Sequence, residues 1–138
     1  FFHDNEFMKP EGFKIRGRNC NLSNIEYPVM MVGTKKDHIV PWYASLGGIK
    51  VFKNHTYILG ESGHVAGIIN PPQKKKYGYW VLDPSLKDEG LGDDQKIEGS
   101  WWKGWFEWIQ PHLGERNRSF QVPEGLIKGE APGEYVKK

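Results

Sequence analysis

The chain has 138 residues, of which 38% are hydrophobic and 26% charged, a balance that predicts a folded domain with a buried core and excludes a disordered segment. Its formal net charge is +2, from 19 basic and 17 acidic residues scattered along the sequence, which does not form the basic patch of a nucleic-acid binder. The single cysteine, Cys20, excludes an intramolecular disulfide and makes a reducing cytoplasm the expected location, and no apolar run approaches the roughly 20 residues of a membrane span.

The first half of the chain predicts strands that alternate with a helix. Apolar and polar residues alternate over residues 12–18, which predicts a strand with one face in water. An unbroken apolar run within residues 27–33 is typical of a strand covered on both faces. Helical spacing of apolar residues over 41–52 predicts a helix, and the β-rich run over 54–59 predicts the next strand.

The second half predicts a short strand over residues 79–82, a connection over 83–99, and a stronger helix after Ser100, which is available as its N-cap. The apolar stripe of that helix consists of Trp101, Trp102, Trp105, Trp108, Ile109 and Leu113. An amphipathic helix that buries this stripe in its own domain is the favoured interpretation. The alternative is a platform on which an extended polymer stacks.

Two loops that follow predicted strands carry an acid and a base. Asp37 lies just beyond the strand over 27–33, where catalytic groups gather in open α/β sheets, and His64 follows the strand over 54–59. In α/β-hydrolase folds the nucleophile comes first along the chain, then the acid, then the histidine. Asp37 and His64 fit the last two places, although ordinary turn residues remain the alternative at both.

No residue of this chain fits the first place. Cys20 lies between Arg18 and Leu22, where a nucleophile elbow requires small residues, so we expect it to be a structural thiol. Histidines outside the two loops have no metal-ligand spacing, and we expect no metal site.

Four motifs follow one another in a fixed order. They are Asp37-His38-Ile39-Val40-Pro41-Trp42; Gly60-Glu61-Ser62-Gly63-His64-Val65-Ala66-Gly67-Ile68-Ile69-Asn70-Pro71-Pro72; Gly99-Ser100-Trp101-Trp102 with Trp105 and Trp108; and Ala131-Pro132-Gly133-Glu134-Tyr135-Val136. Their order and spacing resemble class I or class II polyhydroxyalkanoate synthases over residues 12–136.

The resemblance implies an α/β fold, namely the C-terminal portion of an α/β-hydrolase fold with a mostly parallel sheet and flanking helices. It divides the chain into a lead-in segment over 1–11, late strands and helices over 12–114, and a surface tail over 115–138. The sequence starts at Phe1 without an initiator methionine, and a piece of a longer protein is therefore expected.

For the chemistry, the resemblance implies that Asp37 is the catalytic aspartate and His64 the general base. They would act on a cysteine in an upstream G-x-C-x-G elbow, which attacks a 3-hydroxyacyl-CoA thioester, releases CoA and passes the acyl group to a growing polyester chain. The acyl-CoA is the substrate, and no cofactor is expected. Trp42 either supports the Asp37 loop, which is favoured, or faces the acyl substrate.

The same resemblance implies a cytoplasmic location at the surface of polyester granules, with granule-associated proteins as further partners. A sheet that lacks its earlier strands predicts a homodimer. We expect the chain alone to be inactive. The competing hypotheses are an esterase or polyester depolymerase with an upstream serine, and a non-catalytic module that binds polymer or a partner protein through its tryptophans.

Overall fold

A four-stranded sheet forms the centre of the fold, and a computed structural model describes residues 3–82, 92–116 and 121–137. The strands in chain order are β1 (Lys14–Ile15), β2 (Arg18–Asn19), β3 (Val29–Thr34), β4 (His55–Gly60), β5 (Gly78–Leu82) and β6 (Ile97–Glu98). The helices are α1 (Trp42–Ile49), α2 (Ala66–Ile69) and α3 (Trp102–Ile109). The sheet has the order β3-β4-β5-β6, while β1 and β2 pair only with each other.

The sheet is mixed rather than mostly parallel. Strands β3 and β4 are parallel, whereas β4 with β5 and β5 with β6 are antiparallel. A helical crossover carries the chain from β3 back to the start of β4 through α1, as parallel pairing requires. Between β4 and β5 the chain forms only α2 and a 3-10 turn at Pro72–Lys74. Strand β5 therefore begins beside the carboxyl end of β4 and runs antiparallel to it.

The strand predicted over residues 12–18 is wrong as a strand of this sheet. These residues form the separate β1–β2 hairpin, in which Lys14 pairs with Asn19 and Ile15 with Arg18. Arg16 and Gly17 between the strands both have positive φ, at 48° and 78°, which is the backbone of a tight hairpin turn. The chain therefore reverses after two residues, and the alternation of apolar and polar residues belongs to an exposed hairpin.

The core lies on both faces of the sheet, because side chains of β4 alternate between them. One cluster, which includes α1 residues, consists of Leu46, Ile49, Tyr57, Leu59, Trp80 and Leu82. The other consists of Ile58, Tyr79 and Trp101, with Trp105 of α3 packed against it. Helix α1 thus covers one face and α3 the other, which buries the apolar residues Tyr57, Ile58 and Leu59 of β4 on both faces.

The remaining predicted elements differ from the structure mainly in their ends. The helix predicted over 41–52 ends at Ile49, and the one predicted over 101–113 ends at Ile109, where a 3-10 turn at Gln110–His112 takes in Pro111. Strand β6 was not predicted, because Ile97–Glu98 is only two residues long and exposed. Residues 83–91 of the predicted connection lie outside the described residues.

The core assignment predicts a large stability loss on truncating Leu59, which is fully buried. Leu59→Ala should lower the free energy of unfolding by about 2–5 kcal/mol, because it removes buried methyl groups and leaves a cavity. The matched control is Leu126→Ala, at a leucine that is 67% exposed, which should cost about 0.5 kcal/mol or less. Urea unfolding followed by tryptophan fluorescence measures both, and equal losses would contradict the assigned core.

Candidate active site

Two loops meet at the carboxyl ends of the parallel strands β3 and β4. Asp37 lies three residues beyond the end of β3, and His64 four residues beyond the end of β4. The Lys35 N–H donates to the Gly60 carbonyl at 2.7 Å, and the Lys36 N–H donates to the Ser62 carbonyl at 3.1 Å. These backbone hydrogen bonds continue the pairing of the strands into the loops and hold the two polar residues side by side.

Asp37 is held by hydrogen bonds to both carboxylate oxygens. Oδ1 accepts from the backbone N–H groups of Ile39 and Val40, each at 2.9 Å, so the side chain closes the turn that it sits in. Oδ2 accepts from Nδ1 of His64 at 2.8 Å and, more weakly, from the Thr34 hydroxyl at 3.4 Å. The carboxylate therefore has little freedom to rotate.

These contacts keep Asp37 ionised. The Val40 N–H contributes most and the His64 ring next, and together with the Ile39 N–H they hold the pKa of the Asp37 carboxyl far below its usual range, although desolvation acts in the opposite direction. The Asp37 side chain is only 9% exposed. A fixed negative charge of this kind is suited to stabilising an imidazolium ring beside it.

His64 presents its other ring nitrogen to the surroundings. The hydrogen bond to Asp37 assigns the proton of the neutral ring to Nδ1, which leaves Nε2 as the basic nitrogen. The side chain is 45% exposed, and within the described ranges Nε2 makes no hydrogen bond. The pair can therefore accept a proton at Nε2 from a group placed beside it.

The short helix that follows His64, α2, is held in place by a close contact between its backbone and Thr34. A Cβ atom added at Gly67 would lie 2.5 Å from Cγ2 of Thr34, so only glycine lets α2 lie this close to the end of β3. Thr34 is fully buried at that point. The same threonine therefore supports the histidine loop with its methyl group and Asp37 with its hydroxyl group.

The other candidate residues lie in different surroundings. Cys20 follows the β1–β2 hairpin, where its Sγ contacts the Arg18 carbonyl at 3.8 Å. Trp42 packs against the core cluster below α1, and its carbonyl accepts a hydrogen bond from the Tyr57 hydroxyl at 3.0 Å. These contacts hold Trp42 against the core, and its role toward the Asp37 loop or the acyl substrate stays a prediction. Within residues 3–82, 92–116 and 121–137, no three His, Cys, Asp or Glu side chains are grouped as metal ligands. None of the helices in this described part of the chain has the length and the apolar character that a membrane span needs.

Comparisons with known proteins agree on one group of relatives, although no family model matches the chain. It is 34% identical over 140 residues to the poly(3-hydroxyalkanoate) polymerase subunit PhaC of Cupriavidus necator, which takes in 96% of this chain and 24% of that protein. The PhaC subunit of Rhizobium meliloti is 33% identical over 97% of the chain and 22% of its own length. Poly(3-hydroxyalkanoate) polymerase 2 of Ectopseudomonas oleovorans is 34% identical over 99% of the chain and 25% of its own length.

The chain is a homologue of the C-terminal part of the poly(3-hydroxyalkanoate) polymerases. It spans about a quarter of the length of the curated polymerases that it matches. The resemblance found from the four motifs is thereby confirmed, and it extends over nearly the whole chain.

Several groups around the pair in this polymerase homologue were not predicted from sequence. The N–H groups of Ile39 and Val40 are backbone atoms, and their role depends on the turn after β3 rather than on residue type. Thr34 carries a weak signal, because a hydroxyl three residues before an acid commonly lies within reach of it in a tight turn. Gly67 carries none until the position of α2 is known.

The low pKa of Asp37 predicts how stability changes in acid. A carboxyl whose folded-state pKa is depressed adds stability above its unfolded value, about 3.9, and loses it as the pH falls toward the folded value. Stability should therefore begin to fall as the pH drops below about 5 and should go on falling below pH 3, and Asp37→Asn should remove part of this slope while lowering stability at neutral pH.

The His64→Ala variant serves as the comparison, because it removes one cause of the depressed pKa and leaves the Val40 and Ile39 N–H groups in place. Its acid slope should lie between those of the unaltered chain and Asp37→Asn. Urea midpoints measured at each pH give the slopes. Identical slopes in all three proteins would show that Asp37 is not held in this way.

Proposed function

We propose that the chain is the C-terminal catalytic portion of a polyhydroxyalkanoate synthase, which polymerises 3-hydroxyacyl-CoA into polyester and releases CoA. The observation that carries the proposal is the 2.8 Å hydrogen bond between Asp37 Oδ2 and His64 Nδ1 at adjacent parallel strand ends. The homologous proteins are named poly(3-hydroxyalkanoate) polymerases, which supports the formation of a polyester. In this proposal the described sheet is the late part of an α/β-hydrolase fold.

The proposed first step forms an acyl-enzyme. His64 Nε2 takes the proton from a cysteine thiol in a G-x-C-x-G elbow upstream of this chain, and Asp37 stabilises the resulting imidazolium ring. The thiolate attacks the thioester carbonyl, the bond to the CoA sulfur breaks, and the leaving thiolate takes the proton from His64. The products are an acyl-cysteine thioester and free CoA.

The second step extends the polymer. His64 accepts the proton of a hydroxyl group, either of the next unit or of the chain end, and the oxygen attacks an acyl thioester to form the ester bond. The displaced thiolate then takes the proton back from His64. Protons and acyl groups balance over both steps, so the scheme requires no cofactor besides the acyl-CoA substrate.

We place this reaction in the cytoplasm at the surface of polyester granules, where the growing polymer and granule-associated proteins are the partners. Apolar side chains beside the pair support contact with acyl chains, because Ile39, Val40 and Val65 are all exposed in the described structure. Exposed apolar residues next to a reactive pair are typical of binding sites for apolar ligands.

The proposal predicts the behaviour of a chimeric polymerase, in which this chain replaces the matching segment of the Cupriavidus necator protein. Changing His64 to Ala should lower its rate of CoA release from 3-hydroxybutyryl-CoA by about 10²–10⁴-fold, the usual contribution of a positioned general base. Asp37→Asn should also lower the rate severely, because it removes the charge that stabilises the imidazolium and favours the wrong ring tautomer. The 138-residue chain alone should release no CoA.

The control is His38→Ala, since His38 is exposed and lies beside Asp37 in the same loop. It should retain nearly full activity. An active chimera whose His64→Ala variant keeps its turnover would refute the role of His64. Release of free 3-hydroxy acid instead of polymer would favour the hydrolase hypothesis.

We also propose that the chain forms a homodimer through β3. This strand is at the edge of the described sheet, where its outer backbone groups have no strand partner among the described residues. It has no proline or charged residue within Val29–Thr34, so it lacks the usual protection of an edge strand.

Sedimentation at micromolar concentration should show a dimer, and Val32→Lys should weaken it. A monomer at all accessible concentrations would contradict the proposal.

A further inference from the structure

Three donors at the start of α3 point at the end of α2. The Trp101 indole N–H donates to the Ile68 carbonyl at 2.9 Å, and the Trp102 indole N–H lies 3.0 Å from the Ile69 carbonyl and 3.2 Å from that of Ile68. The Ser100 hydroxyl donates to the carbonyl of Asn70, the residue after α2. We call Ser100, Trp101 and Trp102 the carbonyl clamp.

Helix α2 needs such partners because it has only four residues. The last four carbonyls of a helix have no partner within the helix, and a single turn is unstable by itself. The carbonyl clamp supplies donors to three successive carbonyls, those of residues 68, 69 and 70. The position of α2 is therefore fixed by another part of the chain.

The clamp is itself anchored in the core. Trp101 is 6% exposed and packs with Ile58 and Tyr79 of the sheet. Trp102 is stacked on Trp101, with ring centroids 4.6 Å apart and an interplanar angle of 25°. Two indole donors that are packed in this way cannot easily turn away from the carbonyls they bind.

Helix α2 connects the carbonyl clamp to His64 through backbone hydrogen bonds. The Gly67 N–H donates to the Gly63 carbonyl at 2.8 Å, and the Ile69 N–H donates to the Val65 carbonyl at 3.0 Å. The residues on both sides of His64 are thus bonded into the turn that the clamp holds at its far end. Thr34 limits the movement of the same turn at Gly67, where there is no room for a side chain.

We propose that Ser100, Trp101 and Trp102 are positioning residues, which hold the carboxyl end of α2 and thereby keep the His64 ring against Asp37. The consequence for turnover rests on the function proposed above, whereas the consequence for the His64 ring does not. In this arrangement the first two tryptophans of the aromatic stripe act through their indole N–H groups as well as through their apolar faces.

The test replaces the donors and keeps the aromatic rings. Trp101→Phe, Trp102→Phe and the double variant remove the indole N–H groups, and Ser100→Ala removes the hydroxyl. Trp105→Phe is the matched control, because Trp105 packs against the same cluster but makes none of these bonds to α2. Asp37→Asn is the positive control for loss of the hydrogen bond to His64.

The first readout is the tautomer of the His64 ring, given by ¹⁵N chemical shifts of the two ring nitrogens in the 138-residue chain. The neutral ring should carry its proton on Nδ1 in the unaltered chain and in Trp105→Phe. In the double variant it should shift toward the Nε2–H form, as in Asp37→Asn. A stability loss alone would not change the tautomer of a folded chain.

The second readout is turnover in the chimeric polymerase. The double variant should lower kcat about tenfold with little change in KM, because a displaced base slows chemistry rather than binding. Unchanged tautomers in Trp102→Phe, Ser100→Ala and a folded double variant would overturn the proposal. If the double variant unfolds, Trp102→Phe and Ser100→Ala decide, since Trp102 is 37% exposed. If the tautomers are altered as expected but turnover of the chimera does not need His64, the proposed function is refuted while the positioning role of the carbonyl clamp is supported.

Discussion

The arrangement of this site depends on the parallel pairing of β3 and β4. Their register, Thr34 opposite Gly60, brings both carboxyl ends to one edge of the sheet. The backbone bonds from Lys35 and Lys36 then extend the pairing into the loops. Because of this pairing, two residues that are 27 positions apart in sequence form a 2.8 Å hydrogen bond. A register shift of one residue would turn the side chains to opposite faces and separate the pair.

The two members of the pair are held by different kinds of interaction. Asp37 is fixed locally, because the N–H groups of its own turn bind one carboxylate oxygen. His64 is fixed from a distance, because the short helix after it is held by Thr34 on one side and by the start of α3 on the other. A local constraint sets the charge, and a long-range constraint sets the position of the base. This division gives each member of the pair its own support, although the His64 side chain is 45% exposed and that of Asp37 only 9%.

The sequence alone predicts those parts of the fold and of the site that follow from the local pattern of apolar and polar residues. The apolar run before Gly33 predicts β3, and the order of strand and loop predicts where Asp37 and His64 lie. It was insufficient where a single backbone angle or a distant contact decides the outcome. Arg16 takes a positive φ, which its residue type does not signal, so the sequence pattern predicts a longer strand in place of the hairpin.

The aromatic stripe of α3 shows the same limit. Its spacing predicts the buried face, and Trp101 does lie in the core. The hydrogen bond from the Trp101 indole to the Ile68 carbonyl joins residues that are 33 positions apart. No periodicity within α3 predicts such a bond. The direction of the chain after β4 was likewise not predictable, since the apolar run of β5 suits either a parallel or an antiparallel neighbour.

The central claim is that His64, held by Asp37, is the base that activates a cysteine supplied by the rest of the polymerase. A crystal structure of the complete protein tests it most directly, through the distance from His64 Nε2 to the nearest nucleophilic side chain. The account predicts a cysteine Sγ within about 3–4 Å of Nε2, on a strand-to-helix turn, while Nδ1 keeps its hydrogen bond to Asp37. A serine hydroxyl in that place, or an Nε2 atom that faces no nucleophile, would contradict it.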